Sequence, residues 1–145
     1  MMKFNFIKPT LIFCIIGFII PGFTAILLFG IQILLSEIGL DCSDSWELIW
    51  LITSIGMVIL PTLFIYNLKY KSNENHQKLK IKLFFFNLFE YIFIQSTFVS
   101  FFTNGDILCN VSDGQNGLEL VFTAWLALPI LLVFSYIFKR ISKSL

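Results

Sequence analysis

The sequence predicts an all-α integral membrane protein: four antiparallel transmembrane helices with both termini in the cytoplasm. Three observations lead there. The 145 residues are 57% hydrophobic and 13% charged, with a mean hydropathy of +0.86; ordinary soluble domains run at about 45–50% and about 25%. Four apolar runs of 20 to 26 residues punctuate the chain, and about 20 helical residues cross a hydrocarbon core about 30 Å thick. All ten Lys and Arg residues fall between or outside those runs in one alternating set of segments. This composition excludes a soluble globular domain, and a net charge of +1 excludes a nucleic-acid binder, which needs cations against phosphate.

The first run, Thr10–Leu35, has room for tilt or a kink and contains Pro21 and Gly30. It is too long for a signal peptide and lacks a small-x-small cleavage site, so it reads as a retained helix. The second, third and fourth runs are Trp46–Leu68, Leu83–Phe102 and Leu118–Phe138. Pro61 and Pro129 lie inside the second and fourth, where each frees a carbonyl that neighbouring helices must satisfy. What remains is an outer loop over 36–45, a basic inner loop over 69–82, an outer loop over 103–117 and two short tails. The chain therefore reads as a single membrane domain, a four-helix bundle over 1–145.

Orientation comes from charge. The basic residues, from Lys3 and Lys8 through Lys69, Lys71, Lys78, Lys80 and Lys82 to Lys139, Arg140 and Lys143, occupy the two tails and the middle loop. The other two loops and their flanks hold Glu37, Asp41, Asp44, Glu47, Asp106, Asp113 and Glu119. The positive-inside rule places the tails and the middle loop on the cytoplasmic side, in a bacterial inner membrane. Trp46, Trp50, Tyr66, Tyr70 and Tyr136 sit at span ends, as an interfacial aromatic belt would. Asp44 and Asn116, each with Glu three residues on, have the form of helix capping boxes.

Among residues that could carry chemistry, Glu90 stands out. It lies about 10 Å in from the inner edge of the third span by helix rise, too deep for its short side chain to reach the interface. It must be protonated, paired or facing a wet cavity, and an intramembrane acid is a functional candidate by default. Asn87 and Thr97 share its face, and Gln32, Thr53, Ser54 and Gln95 are potential partners. The competing reading makes Glu90 a neutral acid hydrogen-bonded between helices as packing glue.

Cys42 and Cys109 lie one in each outer loop. On the oxidising side of the membrane they are expected to form a disulfide that ties the two hairpins together. The four-helix membrane thiol oxidoreductases, such as the vitamin K epoxide reductase family, also use cysteines facing outwards, but their relay needs vicinal pairs that this chain lacks. Cys14 reads as a small apolar residue within the first span. His76 is the single histidine, so neither a zinc nor a haem site is expected. No phosphate loop, nucleophile elbow or catalytic carboxylate pair occurs. The reading is a non-enzyme with no cofactor and no metal.

The third span carries eight phenylalanines, at 84, 85, 86, 89, 93, 98, 101 and 102. That many rings cannot all face inwards, so most must touch lipid or another membrane protein, with Phe89 and Phe93 as the candidate interaction face. The lysines of the middle loop could also attract anionic head groups. In layout, the small size, several spans, short loops and lysine-rich inner segments resemble the immunity proteins of pore-forming bacteriocins. That resemblance covers the whole chain and implies a partner within the bilayer, a toxin's channel domain, bound without catalysis. Self-association is the other expected contact. The alternative function is a subunit of a small oligomeric ion or solute transporter or channel that uses Glu90.

Overall fold

The computed structural model describes residues 4–21, 23–70, 75–110 and 116–144. Among these there is no strand. Six helices follow one another: α1 (Ile7–Ile19), α2 (Phe23–Glu37), α3 (Cys42–Tyr70), α4 (His76–Val99), α5 (Gly105–Asn110) and α6 (Asn116–Ser144). Most of the middle loop expected over 69–82 is thus helix, and the outer loop expected over 103–117 holds α5. Lys71 and Glu74 of the middle loop, and Asp113 of the outer one, lie outside the described residues.

Asparagines set several helix starts. Asn5 accepts from the amide of Ile7 (3.2 Å), Asn75 from Gln77 (3.3 Å) and Asn104 from Ile107 (2.8 Å), each satisfying a donor that the first turn leaves open. The capping box expected at Asp44 does not form. α3 begins at Cys42, two residues earlier, with the Ser45 amide bonded to the Asp41 carbonyl (2.9 Å), so Asp44 sits in the first turn and there faces the positive end of the helix dipole. The side chain of Asn116 lies outside the described residues. Past the last residue of α2, Glu37, Gly39 with a φ of 107° turns the chain back; Gly39 N–H reaches Ser36 O (3.1 Å) and Leu40 N–H reaches Leu35 O (3.2 Å). That is the Schellman closure, which glycine permits because it bears no Cβ.

The first expected span is two helices. α1 and α2 are bent by 74° at a break containing Pro21. Pro61 and Pro129, by contrast, sit inside α3 and α6 without ending either helix. At the break the side chains of other helices reach the freed carbonyls: Tyr91 Oη lies 3.5 Å from Pro21 O, and Trp125 Nε1 donates to Phe18 O (3.3 Å).

Two helices are long and apolar enough to cross a membrane, Cys42–Tyr70 and Leu118–Ser142, and the bent α1–α2 pair makes a third if it counts as one span. The expected third span, Leu83–Phe102, is not among them. α4 has the length, about 36 Å by helix rise, but Asn87, Glu90 and Gln95 lower its hydropathy. It is the central helix of the bundle, with eleven buried residues, packed on α3, α6 and α1.

Three apolar clusters stack along α4. Phe6, Phe64, Leu68, Leu83, Phe86 and Phe138 form one at its N-terminal end. Cys14, Tyr91, Ile94, Ala124, Ala127, Leu128 and Leu131 form the middle one, and Leu28, Trp46, Ile49, Ile92, Val99, Leu108 and Leu120 the far one. α1 and α2 together meet these clusters in that order, α3 in the reverse order, α4 forwards and α6 in reverse. Side chains turned outwards are apolar, among them Ile15, Ile26, Ile33, Ile55 and Ile59, while Thr24, Gln95, Ser96 and Thr123 are buried. An apolar exterior over a partly polar interior suits lipid surroundings. Trp46 departs from the belt expected of it: it is 1% exposed and packs edge-on against Phe29. Tyr66, Tyr70 and Tyr136 are exposed.

Candidate functional site

From Asn87 onwards α4 carries its polar side chains inwards and uses them to hold its neighbours. Asn87 Nδ2 donates to Thr10 Oγ1 on α1 (3.1 Å). The Gln95 amide bridges two helices at once: its Nε2 donates to Leu120 O of α6 (3.0 Å), and its Oε1 accepts from the Thr24 hydroxyl of α2. Ser96 and Thr53 hydroxyls stand 3.0 Å apart, and Ser54 donates to Thr97 (3.3 Å), which ties α4 to α3. The stripe expected at 87–90–97 is therefore real as a buried set but divided in its contacts. Asn87 turns to α1 and Thr97 to α3. Gln32, expected to face this stripe, bonds within its own helix, donating to Ser36 (2.8 Å).

Glu90 is 0% exposed, and neither carboxyl oxygen has a hydrogen-bond partner among the described residues. The interhelical bonding expected of it as packing glue is supplied by Asn87, Gln95, Ser96 and Thr97. An ionised carboxylate so enclosed and unpaired is too costly to persist. Asn87 Oδ1, one turn earlier, and Ser135 Oγ on α6 are buried without partners as well. Cys14, read as merely apolar, stands 3.5 Å from Leu128 O, a weak thiol contact that joins α1 to α6.

The phenylalanines divide into two populations. Phe86 is buried with Phe64 and Phe138, their ring centroids 4.6 to 4.9 Å apart. Phe85 and Phe89 are 50% and 46% exposed and continue into Phe93 as a ladder with centroid steps of 6.4 Å. Phe93, expected to share an open face with Phe89, is half-buried. Its ring lies against Gly56 of α3, where an added Cβ would come within 2.7 Å of it. The local sequence does not single out Gly56, although small residues mark close helix contacts in membrane proteins.

At the far end of the bundle the sulfurs of Cys42 and Cys109 stand at disulfide-bonding distance, with Cα atoms 6.0 Å apart across 67 residues of chain. The bond holds α5 against the start of α3. Described acidic residues, Glu37, Asp41, Asp44, Glu47, Asp106 and Glu119, gather at this end, and Lys69, Lys78, Lys80, Lys82, Lys139 and Arg140 at the other. Among the described residues no group of three His, Cys, Asp or Glu side chains is placed to share a metal ion.

Comparison with protein families, curated proteins and solved structures gives no match. Any functional reading rests on the chemistry of the site itself.

Proposed function

We propose that this chain is a small polytopic protein of a bacterial inner membrane that binds another membrane-inserted protein within the bilayer, without catalysis. In this reading it crosses four times, with α1 and α2 as one broken crossing and both termini in the cytoplasm. The alternating order in which the helices meet the three clusters supports that path. So does the gathering of lysines at one end and acids at the other, read by the positive-inside rule. α4 then crosses at the centre of the bundle, where its polar groups meet partners rather than lipid.

The observation that carries the reading is the exposed aromatic ladder, Phe85 and Phe89 stepping up to Phe93 on α4. Large aromatic side chains presented on a rigid helix are the usual anchors of protein interfaces. The transporter alternative has less support. Glu90 is sealed, and the open cleft on this side of α4 is lined by other residues. Immunity against a pore-forming toxin is the role that such a layout fits best, the partner being the toxin's channel domain.

A challenge assay tests this. Cells expressing the chain are exposed to a panel of pore-forming bacteriocins, with Phe85→Ala/Phe89→Ala and Glu90→Gln as variants. Protection that survives Glu90→Gln and is lost in the double phenylalanine variant supports the interface. A gradient-driven ion flux in liposomes that vanishes with Glu90→Gln overturns it in favour of transport. Topology is read independently, by impermeant maleimide labelling of single cysteines at Asn5, Asn75 and Asn104.

A further inference from the structure

A cleft of about 350 Å3 opens on the outside of the bundle between the second half of α3 and the first half of α4. Leu60, Leu63 and Phe64 form one wall, and Phe85, Phe86 and Phe89 the other. Asn67 and Lys82 also line it. Each lies seven residues from the far wall residue on its own helix, Leu60 and Phe89 respectively, so the slot is about 10 Å long by helix rise. The two polar side chains stand together at its basic end. The other end is plugged: Phe93, four residues beyond Phe89, presses its ring onto Gly56, four residues beyond Leu60.

This shape selects its occupant. A helix is about 10–12 Å across with its side chains and needs a groove open at both ends to lie along α4. A slot closed at its deep end and open at its charged end accepts a single flexible chain with a polar head. The volume falls within the range of ligand pockets, about 300–1,000 Å3. The mouth is cationic, since Lys69, Lys78 and Lys80 share the end of the bundle at which Lys82 lies.

We propose that the cleft holds one acyl chain of an anionic phospholipid, with the phosphate of its head group at Lys82. A lysine stem can lie along an apolar wall and carry its ammonium to the head-group level, and Lys82 lines this one. The cleft shares Phe85 and Phe89 with the proposed interface, but the lipid reading requires no protein partner for α4, and its failure would leave the ladder's role untouched.

The test is native mass spectrometry of the full chain in detergent micelles, titrated with phosphatidylglycerol or with phosphatidylcholine of the same acyl composition. One bound phosphatidylglycerol is expected, retained about fivefold more tightly than phosphatidylcholine, the ratio that one lysine near a head group supplies. Lys82→Gln removes that ratio while leaving weak binding of both lipids. Leu60→Trp, with Leu63→Trp as a second way to fill the slot, lowers retention of both lipids about tenfold. Circular dichroism and an intact Cys42–Cys109 bond report that each variant is folded. Equal retention of the two lipids by the unaltered chain overturns the proposal. So does a preference that survives both tryptophan variants, which would mark diffuse attraction to the basic end. A dimer in the same spectra that disappears with Leu60→Trp would assign the slot to a second copy of the chain and overturn it too.

Discussion

Replacing Glu90 by methionine should make the protein more stable. The side chain is fully enclosed and neither oxygen has a partner among the described residues. A buried neutral polar group left unpaired costs about 1–3 kcal/mol, and methionine fills a similar volume with apolar contacts. The unfolded helix in a micelle also lies in apolar surroundings, and single polar contacts in a membrane protein average about 0.6 kcal/mol when measured against that state. A gain of about 1 kcal/mol for Glu90→Met is the expected result. Glu90→Gln keeps a polar group in the same enclosure and should gain nothing. The assay is titration of the purified protein from mild detergent into SDS, followed by tryptophan fluorescence, for which the buried Trp46 is a native-state reporter. A loss of more than about 1 kcal/mol for Glu90→Met, with Glu90→Gln unchanged, would refute the reasoning. It would mean that the acid is satisfied in the native protein and would return it to the list of working groups.

Three further outcomes follow from the same geometry. Reducing the Cys42–Cys109 bond releases a 67-residue loop and should lower stability by about 4 kcal/mol on the chain-entropy model, read as a shifted SDS midpoint with and without reductant. Gly105→Ala places a Cβ 2.9 Å from the backbone of Ser43, which cannot swing aside as a side chain can. A cost of about 1–3 kcal/mol is expected, smaller once the disulfide is reduced and α5 can back away. Gln95→Leu and Thr24→Val in a double-mutant cycle should show a coupling of about 0.6 kcal/mol, and no more than about 1.7; additive effects would mean that Gln95 holds only α6.

The features legible in the sequence are those that depend on composition and end-to-end order. Charge separates the two ends of the bundle whatever the helices do between them. Cys42 and Cys109 meet because both belong to the acidic end. Rotation of each helix about its own axis was not legible. The spans are apolar nearly all round, so no stripe marks which side faces a neighbour. For that reason Trp46 looked like an interfacial residue and is core, and Gln32 looked like a partner for α4 and bonds its own helix. Glu90 could be placed in depth but not in company. The prolines show the same limit. Pro21, Pro61 and Pro129 carry the same local signal, yet the helix breaks at Pro21, where Tyr91 and Trp125 of other helices reach the carbonyls of Pro21 and Phe18, and runs on through Pro61 and Pro129. α4 reads in the sequence as one span among four, and the fold adds that it is the innermost. Its polarity was the sign of a centre, because a helix surrounded by others can bond side chains to them.

The seating of α1 has a consequence for the order of assembly. α1 packs chiefly on α6. Cys14 reaches Leu128 across 114 residues, and Phe18 accepts from Trp125 across 107. At about 5–20 residues per second of synthesis, the surface on which α1 rests emerges some 6–23 s after α1 itself. Until then the side of α1 that will face α6 has only lipid or a helper protein to meet, while Thr10 can already accept from Asn87 of α4. The fold therefore closes late, when Phe138 comes to rest beside Phe6. A chain stopped between α5 and α6 would hold both disulfide cysteines already, yet lack the helix on which α1 chiefly rests.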